Sequence, residues 1–562
     1  MVNMIEVIEN NIKNAIEKSI EKAIDGGSIQ IDDIPEIIIE SPREKEHGDF
    51  ASNIAMVLAK KARMAPIKIA GIIKESLYLE DTYIDSVEVA NPGFINFKLK
   101  NDWLYDTLRQ VQDKGDDYGK VNIGNGEKVQ IEFISANPTG PMHIGNARGG
   151  AIGDTLSEVL KYAGYNVEKE FYVNDAGNQI AKFGKSLEAR YLQLFGIDAE
   201  VPEGGYVGED IKEHAENFKD IYGDKYVNED EDIRRKALTD YALEKNIKRM
   251  KSDLEKFGVH FDVWFSEKGL YDNGDIDATI KYFKDSGKTY ENEDALWFKA
   301  TEYGVSKDEV LVRTNGIPTY FTGDVAYHRN KFVVRKFDKV IDIWGADHYG
   351  HVPRMKASMA ALGLNPDNLE IIIMQLVRLI RDGKVTRMSK RKGQSFTLAD
   401  LVDEVGKDAA RFFFNMRSAD THFEFDLDLA VAKSNENPVY YVQYAHARIC
   451  GILRQLAEEG DFIPKIEEVD FSQLKEESEI ELIKKLAYFP EEISQSAKSL
   501  DPSRITKYVL ELAALFHTFY NSCRVKGVEE ELKKSRMILV DSTRIVIKNC
   551  LNILGISAPE KM

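Results

Sequence analysis

The eleven residues Ala136-Asn137-Pro138-Thr139-Gly140-Pro141-Met142-His143-Ile144-Gly145-Asn146 set one histidine among two prolines and two glycines. Neither proline can lie in a central strand, so the chain turns here. Upstream, Val129, Ile131, Phe133 and Ile134 make a short β-rich run; downstream, Ala151, Ile152, Leu156, Val159, Leu160 and Ala163 recur at helical spacing. A turn flanked in this way sets His143 and the free N–H groups of a helix start beyond the carboxyl end of a strand. That is where parallel sheets hold nucleotides and where a helix N-terminus attracts phosphate. Asn146 offers a donor and an acceptor but no titrating proton, which suits positioning better than acid–base work.

A second reactive stretch is basic: Arg378, Arg381, Lys384, Arg387, Lys390, Arg391 and Lys392, relieved only by Asp382. Such a run is ordinarily a solvated face. Within it, Arg387-Met388-Ser389-Lys390-Arg391-Lys392-Gly393 falls on a loop after a strand and follows the turn Arg381-Asp382-Gly383. A lysine on such a loop can meet the charge that builds on ATP phosphates when the α-phosphorus is attacked.

Three units must position these residues. The first, residues 1–115, is α+β: Ile8, Ile12, Ile16, Ile20 and Ile24 form a helical stripe, and Ile84–Val89 and Phe94–Leu99 alternate around Asn91-Pro92-Gly93 as a hairpin. The polar stretch Gln112–Glu127 reads as a linker. The second unit, 116–430, is α/β, interrupted at about 187–287 by a polar helical insertion with few strands. Sheet residues return at Val310–Val312, Lys339–Trp344 and Leu369–Leu376, and the helix Val352–Leu362 between the last two makes the strands parallel. The third unit, 431–562, is an all-helical bundle, with apolar stripes in Val439–Leu456, Glu479–Ala487, Pro490–Ser499, Arg504–Phe519 and Ser535–Leu554.

The histidine turn resembles the HIGH motif, and Arg387–Gly393 the KMSKS motif, of class I aminoacyl-tRNA synthetases, with arginyl-tRNA synthetases as the closest pattern. Asn146 stands where the family has a second histidine, and Arg387 where it has a first lysine. The resemblance implies a Rossmann-type catalytic domain with Mg2+-ATP as substrate. His143, Asn146 and Lys390 are then the catalytic residues. Pro138, Gly140, His143, Gly145, Asn146, Asp347, His348, Met388, Ser389 and Lys390 hold ATP, although Trp344–His351 also offers His351 and its pattern does not choose among the three. It further implies that Glu132, Ser135, Asn137, Glu267, Tyr320 and Asp324 hold arginine, the last set drawn from Phe261-Asp262-Val263-Trp264-Phe265-Ser266-Glu267 and Tyr320-Phe321-Thr322-Gly323-Asp324. The chemistry fits, since a planar cation with five donors requires acceptors placed around it, ideally carboxylates.

The opening of the third unit, Asn437–Arg448, resembles the family's anticodon-binding domain, with Tyr440, Tyr444 and Arg448 suited to stacking on unpaired tRNA bases; Tyr440, Tyr441 and Tyr444 fit a packed core equally well. The first unit resembles the domain laid against the tRNA elbow, on the cue His47-Gly48-Asp49-Phe50. The expected partners are tRNA(Arg), arginine and ATP, with no membrane, no structural metal or prosthetic group, and a monomeric chain. Two rivals share parts of the pattern: a small-molecule nucleotidyltransferase has no use for the helical bundle, and a non-catalytic tRNA-binding relative has no use for His143 and Lys390.

Composition is compatible with all of this. At 562 residues the chain exceeds one core, and 43% hydrophobic with 30% charged residues is typical of globular proteins. The formal charge of -19 weighs against nucleic acid only as a whole-chain sum, because phosphate binding is local. Cys450, Cys523 and Cys550 lack metal-ligand spacing and read as reduced thiols. The first residues lack the basic, apolar, small-residue order of a signal peptide, so a cytoplasmic location is expected.

Overall fold

Five parallel strands carry the histidine turn: β1 (Lys128–Glu132), β2 (Asn166–Val173), β3 (Val263–Ser266), β4 (Lys339–Gly345) and β5 (Leu369–Met374), in the spatial order β5-β4-β1-β2-β3. The computed structural model describes residues 3–42, 44–386 and 396–562. Helices cover both faces of the sheet, which is why Val129, Ile131, Phe171, Val340 and Ile341 are all buried and the strands read as apolar runs. From β1 the chain crosses to β2 on one side, while β4 pairs on the other. The strand order therefore reverses between β1 and β4, opening a crevice at their carboxyl ends.

Helix α1 (Ile144–Tyr162) makes the first crossover. Its Gly153 lies on Phe133, and a Cβ there would stand 2.3 Å from the ring, so only glycine allows this approach. Between β2 and β3 come α2 (Gly177–Gln193), α3 (Glu209–Tyr222) and α4 (Glu231–Phe257), sharing a small core around Phe183, Leu187, Ile211, Phe218 and Leu238. The expected insertion to residue 287 is thus broken by β3, the edge strand of the main sheet. Four residues are too few for alternation to stand out against polar, helix-like surroundings.

A second correction concerns Val310–Val312. The strand Glu309–Val312 leaves the main sheet and pairs antiparallel with Ala295–Phe298, which pairs with Thr289–Asn292. Then α5 (Tyr320–Arg329) passes into one π-helical turn, Asn330–Val334, before β4, and α6 (Val352–Ala361) joins β4 to β5. Val377–Arg381 and Lys384–Thr386 form a hairpin about Asp382 and Gly383, both at positive φ.

The amino-terminal helix Met4–Asp25 buries Ile8, Ile12, Ile16 and Ile20, and the strands Ile84–Ala90 and Phe94–Leu99 pair antiparallel. The carboxyl-terminal part packs the helices Pro438–Glu458, Glu477–Ala487, Phe489–Ser499, Ser503–Ser522 and Glu530–Ile553. The stretch read as a linker is anchored to the carboxyl-terminal helices around Gly115 and Tyr118. Tyr118 is 2% exposed and its hydroxyl donates to the Leu486 carbonyl at 3.0 Å. Asn549 donates to the carbonyls of Gly115 and Tyr118, each at 3.0 Å. A glycine-containing polar segment can be buried when side chains meet its backbone groups in this way. The three cysteines are free thiols, and no described helix is long and apolar enough to cross a membrane.

Candidate active site

The chain leaves β1 under strain. Ser135 N–H donates to the Phe133 carbonyl at 3.0 Å, closing a three-residue turn about Ile134, and Ile134 and Ser135 have φ of 71° and 43°. A β-branched residue at positive φ is costly and persists only where its surroundings hold it. Here the Ser135 hydroxyl donates to Glu132 Oε1 at 2.8 Å and accepts from the Tyr172 N–H at 3.3 Å. Asn137 is exposed and donates to Gln179 Oε1 of α2 at 2.6 Å. The insertion holds the next residue: buried Asn246 of α4 donates to the Pro138 carbonyl at 2.9 Å, with His214 Nε2 2.9 Å from its Oδ1.

His143 is exposed at the start of α1, and its backbone N–H donates to Asn146 Oδ1 at 2.9 Å. Asn146 therefore caps the turn that presents His143, in keeping with a positioning role. Gly140 and Gly145 are half-buried beside it. A cavity of about 690 Å³ opens from His143 and Ile144 to Leu376, Arg378, Thr386 and Phe396. Thr386 and Phe396 bracket the basic motif, whose Arg387, Met388, Ser389 and Lys390 lie outside the described residues. Leu398 N–H donates to the Met142 carbonyl at 2.9 Å and His143 bridges Thr397, so the far flank of that motif is tied to the histidine turn.

At the β1/β4 crevice, Glu132, Ser135, Tyr172, Asp324, Trp344, His348 and His351 line a cavity of about 190 Å³. Acidic groups gather there. Glu267, 4% exposed, opens the helix after β3, and its Oε2 has no hydrogen-bond partner among the described residues. Burial, then the charges of Asp324 and Asp175, push its carboxyl up to about 7. Tyr271 feels burial first and then Glu267, Tyr320 and Asp324, which shows that these three residues share one neighbourhood. Tyr320 is exposed at the start of α5, and its hydroxyl accepts the Asn178 N–H at 3.3 Å. His351 Nε2 donates to Asp324 Oδ2 at 2.9 Å, which commits His351 to the acidic side. Asp347 and His348 are exposed, 3.5 Å apart.

Both Glu132 oxygens are engaged, Oε1 by Ser135 and Oε2 by Lys331 Nζ at 2.7 Å. Sequence reading missed Lys331, Tyr172 and Asp175. Tyr172 stands near the carboxyl end of β2, and its phenol is held far above the usual range by burial and by Glu267, Asp324 and Glu132. The signal that could have found it is position: in a parallel sheet, the last residues of each strand face the ligand. Asp175 accepts from Ser266 Oγ at 2.6 Å and Lys268 N–H at 3.0 Å, and so fixes the start of the Glu267 helix.

A third cavity, about 590 Å³, lies on the helical bundle between Lys433, Tyr440, Tyr441, Tyr444, Arg448 and His517. The rings of Tyr440 and Tyr444 stack 6.1 Å apart, and the Arg448 guanidinium lies 4.5 Å over Tyr444 and 4.6 Å over Tyr520. Tyr440, Tyr441 and Tyr444 are half-buried and line the cavity, while Tyr520 is exposed.

Comparison with known proteins agrees with this architecture. Residues 9–99 match the arginyl tRNA synthetase N terminal domain, 107–421 the catalytic domain of tRNA synthetases class I (R), and 442–562 the DALR anticodon binding domain. The chain is 58% identical over 562 residues to the arginine--tRNA ligase of Caldanaerobacter subterraneus subsp. tengcongensis, and 57% identical over 564 residues to that of Acetivibrio thermocellus, with all of each chain covered. The Thermus thermophilus arginyl-tRNA synthetase structure shares the fold at 20% identity, with a TM-score of 0.73 over 98% of this chain and 100% of that one. An acidic crevice beside a histidine turn, in a chain that aligns end to end with such relatives, makes this protein a member of the class I arginyl-tRNA synthetase family.

Proposed function

We propose that the chain is an arginine-tRNA ligase. An arginine carboxylate oxygen attacks the α-phosphorus of Mg2+-ATP, forming arginyl adenylate and releasing pyrophosphate. A hydroxyl of the 3′-terminal adenosine of tRNA(Arg) then attacks the arginyl carbonyl, and AMP departs. Alignment and charge stabilisation do the work, with no covalent enzyme intermediate.

The guanidinium lies among Glu267, Tyr320 and Asp324. Ser135 and Asn137 hold the α-amino and carboxylate groups, and Glu132 backs Ser135. Pro138, Gly140, His143, Gly145, Asn146, Asp347 and His348 receive ATP together with Met388, Ser389 and Lys390, and Lys390 meets the charge that develops on the phosphates. Tyr440, Tyr444 and Arg448 stack on tRNA bases. The chain divides at about 115 and 430 and acts as a cytoplasmic monomer.

The observation that carries this reading is the buried Glu267 carboxylate oxygen, without a hydrogen-bond partner among the described residues and in the field of Asp324, at the start of the helix that follows β3. Lysine would satisfy the charge there but leave acceptors unpaired, a loss that discriminates by orders of magnitude. Aminoacylation with each of the twenty amino acids and total tRNA tests it: arginine alone should be charged, and charging of another amino acid rejects the assignment.

A further inference from the structure

We propose that Lys331 is a positioning residue for arginine: held between Glu132 and Asp342, its ammonium fixes the Ser135 turn and, through His328, the turn of α5 that carries Asp324. The proposal rests on the reading that arginine occupies that crevice.

Lys331 and Asp342 are 0% exposed and lie behind the cavity wall. Lys331 Nζ donates to Glu132 Oε2 at 2.7 Å and to Asp342 Oδ1 at 2.8 Å, and stands 4.2 Å over the Tyr327 ring. Glu132 ends β1 and Asp342 lies in β4, so one cation joins the two strands between which the strand order reverses. Burial disfavours the ammonium, but Asp342, Glu132 and Glu170 outweigh it and keep the group charged. Lys331 occupies the second position of the π turn, and such turns are frequent at functional sites.

Each acid relays the position of Lys331 to a group facing the cavity. Through Glu132 Oε1 the contact reaches the Ser135 hydroxyl, and with it the strained turn about Ile134. Through Asp342 Oδ2 it reaches His328 Nε2 at 2.7 Å, and His328 Nδ1 donates to the Asp324 carbonyl at 2.7 Å. Both ring nitrogens of His328 face oxygens, so the ring bridges Asp342 and the Asp324 backbone. The hydrogen bonds thus run from Ser135, assigned to the amino-acid end of arginine, to the backbone of Asp324, assigned to the guanidinium end.

The test uses the full chain with tRNA(Arg), measuring arginine-dependent ATP–pyrophosphate exchange. Lys331→Met and Asp342→Asn should each raise the arginine KM at least tenfold while the ATP KM moves less than threefold. Should Lys331→Met not fold, Lys331→Gln and Asp342→Asn carry the same expectation. Arginine KM values within threefold of wild type, with lower melting temperatures or an equal loss through kcat, would overturn the proposal. Wild-type protein that exchanges with another amino acid but not with arginine would instead reject the underlying reading.

Discussion

In the proposed reading, the choice of amino acid turns on Glu267. Its carboxyl is raised from 4.5 to about 7, first by burial and then by Asp324 and Asp175. Because the folded value lies above the unfolded one, the empty protein holds the extra proton between about pH 4.5 and 7. The stability this lends is full below that window and lost as pH rises through 7, on the order of 3 kcal/mol. Glu267→Gln should therefore raise the melting temperature relative to wild type at pH 8 but not at pH 5, while raising the arginine KM about a hundredfold. An equal difference at both pH values would show that ionisation of Glu267 does not limit stability. A bound guanidinium reverses the preference, so wild-type arginine affinity should rise as pH climbs from 6 to 8. Asp324→Ala removes the neighbouring acid and the partner of His351. It should raise the arginine requirement far more than the ATP requirement; equal effects on both would move Asp324 out of the arginine pocket.

Among the elements, α4 of the insertion matters most to the chemistry, because Asn246 reaches from it to the Pro138 carbonyl. Asn246→Ala leaves that carbonyl and His214 without their shared partner, at about 1–2 kcal/mol. Adenylate formation should slow roughly tenfold with the arginine KM little changed, as single-turnover measurements would reveal; an unaltered rate would mean that the turn holds its shape without α4. The histidine turn itself was readable in the sequence because its signals are local: two prolines, a strand before and a helix after. The role of α4 was not, because an asparagine 108 residues away along the chain carries no mark of where its amide will donate.

On the scale of the whole molecule, residues 112–127 bind the amino-terminal part to the helical bundle. Tyr118→Ala should cost about 3–5 kcal/mol, and Tyr118→Phe, which orphans only the Leu486 carbonyl, about 1 kcal/mol. Calorimetry should rank the melting temperatures wild type, Tyr118→Phe, Tyr118→Ala, with arginine KM constant; a wild-type melting temperature for Tyr118→Ala would restore the linker reading. At the other end of the bundle, Tyr444→Ala removes the ring between Tyr440 and Arg448. Its tRNA KM should rise about tenfold, whereas an unchanged tRNA KM would make Tyr444 a packing residue.

Taken alone, the sequence determined what depends on near neighbours and periodicity: the parallel sheet with its histidine turn, the helical bundle and the amino-terminal hairpin; Glu267, Tyr320 and Asp324 were named only through the family resemblance. Only the tertiary structure decided which charges are buried and what they face. Lys331, Asp342 and His328 look like surface residues in sequence, since a charged side chain is exposed by default and its burial is set by partners from other strands. The same holds for β3 and for Tyr118. A four-residue edge strand is defined by the strand it pairs with, and a tyrosine in a polar stretch by the helices that close over it, and neither relation exists until the chain has folded.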